Sequence, residues 1–163
     1  MRTITEGAYM SRLRRRDLIP DDTPITATLK EPKIVHGKFG RQVETKALVT
    51  KGEYKGTEFK DWFSFGRDED TAEEFIPYGL ALYQAFAMVE PNIDDILDDE
   101  NLSEKQYQQF VKNAVKKLDG LEIMGRVGVK APKNNPEKKR NCLVPGTFGP
   151  AEDPEAAFED IPI

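Results

Sequence analysis

Few residues in this chain are equipped for covalent or metal chemistry. His36 is the only histidine and Cys142 the only cysteine. Neither has a partner at the spacing of a zinc site or of a nucleophile dyad. Asp94, Asp95, Asp98 and Asp99 crowd together, as two-metal nuclease carboxylates would. They lack the Asp-x-Asp-x-Asp-Gly spacing of a calcium loop, and their surroundings read as a solvated acidic linker. Neither a GxxxxGK[ST] phosphate loop nor a GxGxxG turn occurs. The expectation is a protein that is no enzyme and takes no metal or cofactor. One cysteine excludes an internal disulfide and fits a reducing cytoplasm. The longest apolar run, 78–89, is too short to span a bilayer, and no apolar h-region follows the basic N-terminus. No membrane partner is expected.

The remaining chemistry is that of binding. The net charge is −5, from 24 basic and 29 acidic side chains. Five of the acids (Glu152, Asp153, Glu155, Glu159 and Asp160) lie in the last thirteen residues, where no Lys or Arg occurs. Setting them aside leaves 24 acids against 24 bases, so the body is neutral. A second acidic block, 90–104, makes the rest mildly basic, with clusters at 12–16, 30–60 and 126–140. Single strands are held by a basic groove that follows the phosphates and by aromatic faces that stack bases.

The elements that must carry these residues follow from periodicity. Residues 1–22 read as a basic N-terminal arm with nothing that marks core. Residues 23–35 alternate, with Ile25, Ala27 and Leu29 on one side. Residues 41–50 alternate again, with Val43, Ala47 and Val49 inward. Residues 57–66 form a third strand, Phe59, Phe63 and Phe65 on one face and Glu58, Lys60 and Trp62 on the other. The turns 36–40 and 51–56 join the three into an antiparallel meander. A helical insert spans 68–120. Its first helix, 68–89, has Pro77 near the start and Leu80, Tyr83, Phe86 and Ala87 at helical spacing. Its last has a Ser103/Gln106 capping box, lysines at its end and Gly120 as a stop. Strands at 121–130 and 141–146 flank a basic loop, 131–140. From 147 to 163 the composition predicts a disordered acidic tail.

The chain is therefore expected to be mainly β with a helical insert. Three strands, helices, then two strands is the order of a five-stranded OB-fold barrel with helices between strands three and four, here over 23–146. Other small barrels and open α+β sheets share that order. OB-folds bind along the face of strands two and three and with neighbouring loops. That nominates Lys38, Arg41, Lys46, Lys51, Lys55, Lys60, Arg126, Lys130, Lys133, Lys138, Lys139 and Arg140 for phosphates, with the 131–140 loop as the strongest group. Trp62 is the best stacking candidate, because its parity separates it from the three phenylalanines; packing under a loop or the helical insert is the other reading. Phe39 and Tyr54 sit in the hairpin turns, where they either clasp a strand or close the barrel ends.

The chain finishes on "FEDIPI". Phe158, Glu159, Asp160, Ile161, Pro162 and Ile163 join acid to exposed apolar groups around a proline, a segment suited to a partner rather than to a core. It resembles the acidic tip of bacterial single-stranded-DNA-binding proteins, which ends Asp-Ile-Pro-Phe. Asp160, Ile161 and Pro162 match, and Ile163 stands where that family has Phe. The body, through "KFGRQVETKALVTKGEYKGTEFKDWFSF" and "LDGLEIMGRVGVK", is similar to the small phage-type members of the family. The resemblance implies an OB-fold, binding of single-stranded DNA without strong sequence preference, and recruitment of replication or recombination proteins by the tip. A bacterial cytoplasm and a homo-oligomer are compatible with it. The rival expectation is a protein-only adaptor that displays the tail and binds no DNA.

Overall fold

Alternating side chains organise residues 23–64 into three long strands, and the computed structural model, which describes residues 18–37 and 40–151, builds an antiparallel sheet from them. Strand β1 spans Thr23–Gly37, β2 Gly40–Val49 and β3 Glu58–Ser64. After the insert come β6 (Glu122–Lys130), β7 (Arg140–Leu143) and the two-residue β8 (Gly149–Pro150). The order across the sheet is β3-β2-β1-β6-β7, with β8 also on β6. The expected inward residues Ile25, Ala27, Leu29, Val43, Ala47, Val49, Phe63 and Phe65 are buried. Each large one contributes about 1.5–3 kcal/mol through apolar area removed from water.

The sheet does not close into the expected five-stranded barrel. No ladder joins β3 to β7 among the described residues. The reason lies at Asp61, which shares the inward parity of Phe63 and is 4% exposed. Its carboxylate accepts the Trp62 N–H of β3 at 2.8 Å and the Leu143 N–H of β7 at 2.8 Å. Two backbone donors facing one seam cannot pair with each other, and a carboxylate set between them satisfies both.

The insert departs from a continuous helix over 68–89. The Asp68 carboxylate accepts the N–H groups of Asp70 and Thr71, a local turn that competes with helix. This turn joins a two-stranded ribbon, β4 (Gly66–Arg67) with β5 (Glu74–Phe75), and a 3₁₀ turn at Ile76–Tyr78 follows, carrying Pro77 in its first turn. Helix α1 begins only at Leu80 and runs to Val89. It buries Leu82, Ala85 and Phe86, and leaves Leu80 53% exposed. Its apolar residues lie on every side, so spacing alone did not choose the buried face; packing against the last helix of the insert did, with Phe86 edge-on to Phe110 at 6.2 Å. The acidic linker contains a short helix, α2 (Ile93–Leu97), which anchors Ile93 and Leu97 in the core and leaves Asp94, Asp95, Asp98 and Asp99 exposed.

Helix α3 (Glu104–Leu118) has the predicted capping box. Ser103 Oγ accepts the Gln106 N–H, and the Gln106 side chain accepts the Ser103 N–H. Tyr107, Phe110, Val111, Ala114, Val115 and Leu118 form its buried face. Gly120, at φ +80°, turns the chain into β6.

Both ends of the domain extend beyond 23–146. Ile19, placed in the N-terminal arm by sequence, is fully buried. Its N–H donates to the Asn141 side chain, which returns a bond to the Ile19 carbonyl. Residues 147–151, placed in the disordered tail, are also built in. Phe148 stacks on Phe63 at 5.8 Å, and β8 pairs with Ile123 and Met124. Gly125 permits this, because a Cβ there would lie 2.6 Å from the Phe148 Cβ. No helix among the described residues is long and apolar enough to cross a membrane.

Candidate nucleic-acid interface

The outward face of β1, β2 and β3 gathers a band of charge by register. Lys30 of β1 stands opposite Lys46 of β2, which stands opposite Lys60 of β3. Strand spacing puts this row of three ammonium groups across about 10 Å of sheet. Like charges directly opposite destabilise a sheet, and the acids Glu31 and Glu44 beside the row offset part of that cost. Lys30 and Lys60 are exposed and have no ion pair among the described residues.

The next row is Lys33, Glu44 and Trp62. Lys33 is three residues from Lys30 and would point inward on a regular strand. A bulge between Lys30 and Lys33 shifts the register by one residue and turns Lys33 outward. Its pivot is Glu31, at φ +51° before Pro32. The Glu31 N–H is held by the Asp119 carboxylate at the end of α3, 3.1 Å away.

Trp62 is half-buried on the outward face, as its parity predicts. Its indole N–H donates to Glu44 at 3.1 Å, and Glu44 in turn pairs with Lys33 at 3.2 Å. Partial burial raises the Glu44 pKa, but the hydrogen bond and charge of Lys33 outweigh it and hold the carboxyl below its usual value. The Arg140 guanidinium lies over the indole, 5.0 Å from the ring centre, and donates to Asp61. The seam carboxylate thereby orients Arg140 and, through it, the ring. Burial pushes the Asp61 carboxyl up, opposed by its bonds from Leu143, Trp62 and Arg140.

The other predicted residues fall into three groups. Lys130 stands opposite Arg140 where the 131–139 loop leaves the sheet, and Lys138 and Lys139 are exposed in that loop. The stack of Arg140 on Trp62 therefore ties the loop to the β1–β3 face. Lys55 is exposed and Tyr54 half-buried in the β2–β3 turn, the latter packed on the core. Arg41 and Arg126 are engaged elsewhere. Arg41 makes a bidentate bond to Glu74, donates to Gln108 and covers the Phe65 ring. It joins β2 to the insert and has few donors left for phosphate. Arg126 binds Asp22 near the start of β1, opposite Pro24 and away from the lysine row. Phe39, Lys38 and the tip residues Phe158–Ile163 lie outside the described residues.

Sequence alternation sets Lys30 and Glu44 outward, though neither was nominated for the site; Lys33, Glu31 and Asp61 were missed. The parity that placed Phe59 and Phe63 inward includes Asp61, and a carboxylate on an apolar face was the available signal. Nothing local signals Lys33, because the bulge reverses it. Cys142 is buried, and burial raises its thiol pKa. Among the described residues no three His, Cys, Asp or Glu side chains are grouped to hold a metal ion. Comparison with protein families, with curated proteins and with solved structures finds no match to this chain.

Proposed function

We propose that this chain binds single-stranded DNA, without strong sequence preference, along the outward face of β1, β2 and β3, and that it does no chemistry on it. The observation that carries this reading is the row Lys30–Lys46–Lys60 lying beside Trp62 and Arg140. A polyanion crossing the strands would relieve the repulsion within the row, and a base would stack on the indole for about 1–3 kcal/mol. The fold supports the same reading. An OB-fold is a partly open Greek-key barrel that binds on its second and third strands, and an open seam bridged by Asp61 is compatible with one. The resemblance of the Asp160–Ile163 tip adds recruitment of replication or recombination proteins as the expected partner function.

The rival is a protein-only adaptor. Lys33 and Lys46 are paired with Glu44 and Glu31, which lowers the net charge of the face and favours that rival. Fluorescence polarisation with labelled oligo-dT separates the two. A single-strand binder shows saturable binding at low salt, with a log–log salt slope of about −0.7 per phosphate neutralised. An adaptor shows none at any salt.

A further inference from the structure

The carboxylate of Glu31 reaches back over the bulge and pairs with Lys46, the middle member of the lysine row, at 2.7 Å. Its placement is held by the fold. A positive φ is costly for a residue that is not glycine, and here the Asp119 side chain holds the Glu31 N–H. Two residues earlier, the Leu29 N–H donates to the Leu121 carbonyl and the Leu29 carbonyl accepts the Gly120 N–H. The bulge is thus fastened to the end of α3, and beside the Lys33 it turns outward it sets one acid, Glu31, against Lys46. That side chain is 72% exposed, so nothing in the core requires it.

We propose that Glu31 is a built-in competitor for the nucleic-acid backbone: its carboxylate occupies Lys46 in the free chain and gives way when a phosphate arrives. The inference rests on the reading of this face as a single-strand site. Glu31 is exposed and Lys46 half-buried, so water and the arriving strand reach the pair from the Glu31 side, and opening it costs little. Its mutual effect is visible in both partners. The Lys46 hydrogen bond and charge lower the Glu31 pKa, and Glu31 raises that of Lys46. In the free chain the competitor quiets the repulsion among Lys30, Lys46 and Lys60.

The test is oligo-dT binding by the full chain and by E31Q, K46Q and the double variant at low salt. E31Q keeps the side-chain shape and removes the charge. It should bind about two- to fivefold tighter than the unmodified chain, the worth of one exposed ion pair. K46Q should bind more weakly, and E31Q/K46Q should match K46Q, since the competitor has nothing left to occupy. The inference is overturned if E31Q binds no tighter. It is equally overturned if E31Q tightens binding to the same degree in the K46Q background, which would make Glu31 a general negative charge. Failure of both the unmodified chain and E31Q to bind overturns the reading of the face itself. Thermal midpoints of all variants separate loss of folding from loss of binding.

Discussion

Replacing Asp61 with alanine tests the seam that stands where the barrel would close. The substitution removes the acceptor shared by the Trp62 and Leu143 N–H groups and by Arg140. Leu143 is 2% exposed, so its N–H is left buried without a partner. A buried donor left unsatisfied costs about 1–3 kcal/mol. Each kcal/mol moves the midpoint by roughly 2–4 °C in a chain near this size, so Asp61→Ala should melt several degrees lower. Arg140 loses less, because it reaches water. The pH dependence gives a sharper test. Burial raises the folded pKa of Asp61 above the ordinary 3.8. Below 3.8 the group is protonated in both states. As pH rises from there to the raised value, the unfolded chain releases its proton first, so the contribution of Asp61 to stability falls. The destabilisation by Asp61→Ala should therefore be larger at pH 4 than at pH 7, read by urea unfolding at both. An equal or larger effect at pH 7 would mean that Arg140 and the backbone donors hold the carboxylate ionised, and would refute the reasoning.

Trp62→Ala should weaken oligo-dT binding by about 1–3 kcal/mol while the thermal midpoint moves little, since the ring is half-buried on the outward face; a collapsed midpoint would make it a packing residue. Lys138→Ala with Lys139→Ala should reduce both affinity and salt slope, by about 0.7 for each phosphate no longer neutralised; an unchanged slope removes the loop from the site. Arg140 is left intact in that variant because it also supports Asp61 and Trp62. Deleting Phe158–Ile163 should leave folding intact, leave oligo-dT affinity equal or tighter, and abolish co-purification of replication or recombination proteins from bacterial lysate; partners that still bind would take the tip out of recruitment.

Strand positions, inward residues, the capping box and the helix stop at Gly120 were legible because each depends on neighbours a few residues away. A period of two places Val43, Ala47 and Val49 together wherever the strand ends up. Ser103 and Gln106 cap α3 whatever it packs on. Trp62 was legible as an outward residue for the same reason. Three features depended on tertiary structure. The bulge at Glu31 and Pro32 breaks the period, and the Asp119 carboxylate, 88 residues along the chain, holds it. That one residue of slip moves Lys33 onto the lysine face. The seam is set by Asp61 meeting Leu143 across 82 residues, which turns an apparent anomaly on an apolar face into the join between two strand edges. Ile19 and Phe148 enter the core because Asn141 offers a backbone-like pair of bonds and Gly125 leaves room for a ring. Local pattern determined which residues could lie on the face. Distant parts of the chain decided which of them meet there, because register and close approach are properties of pairs of strands and not of either strand alone.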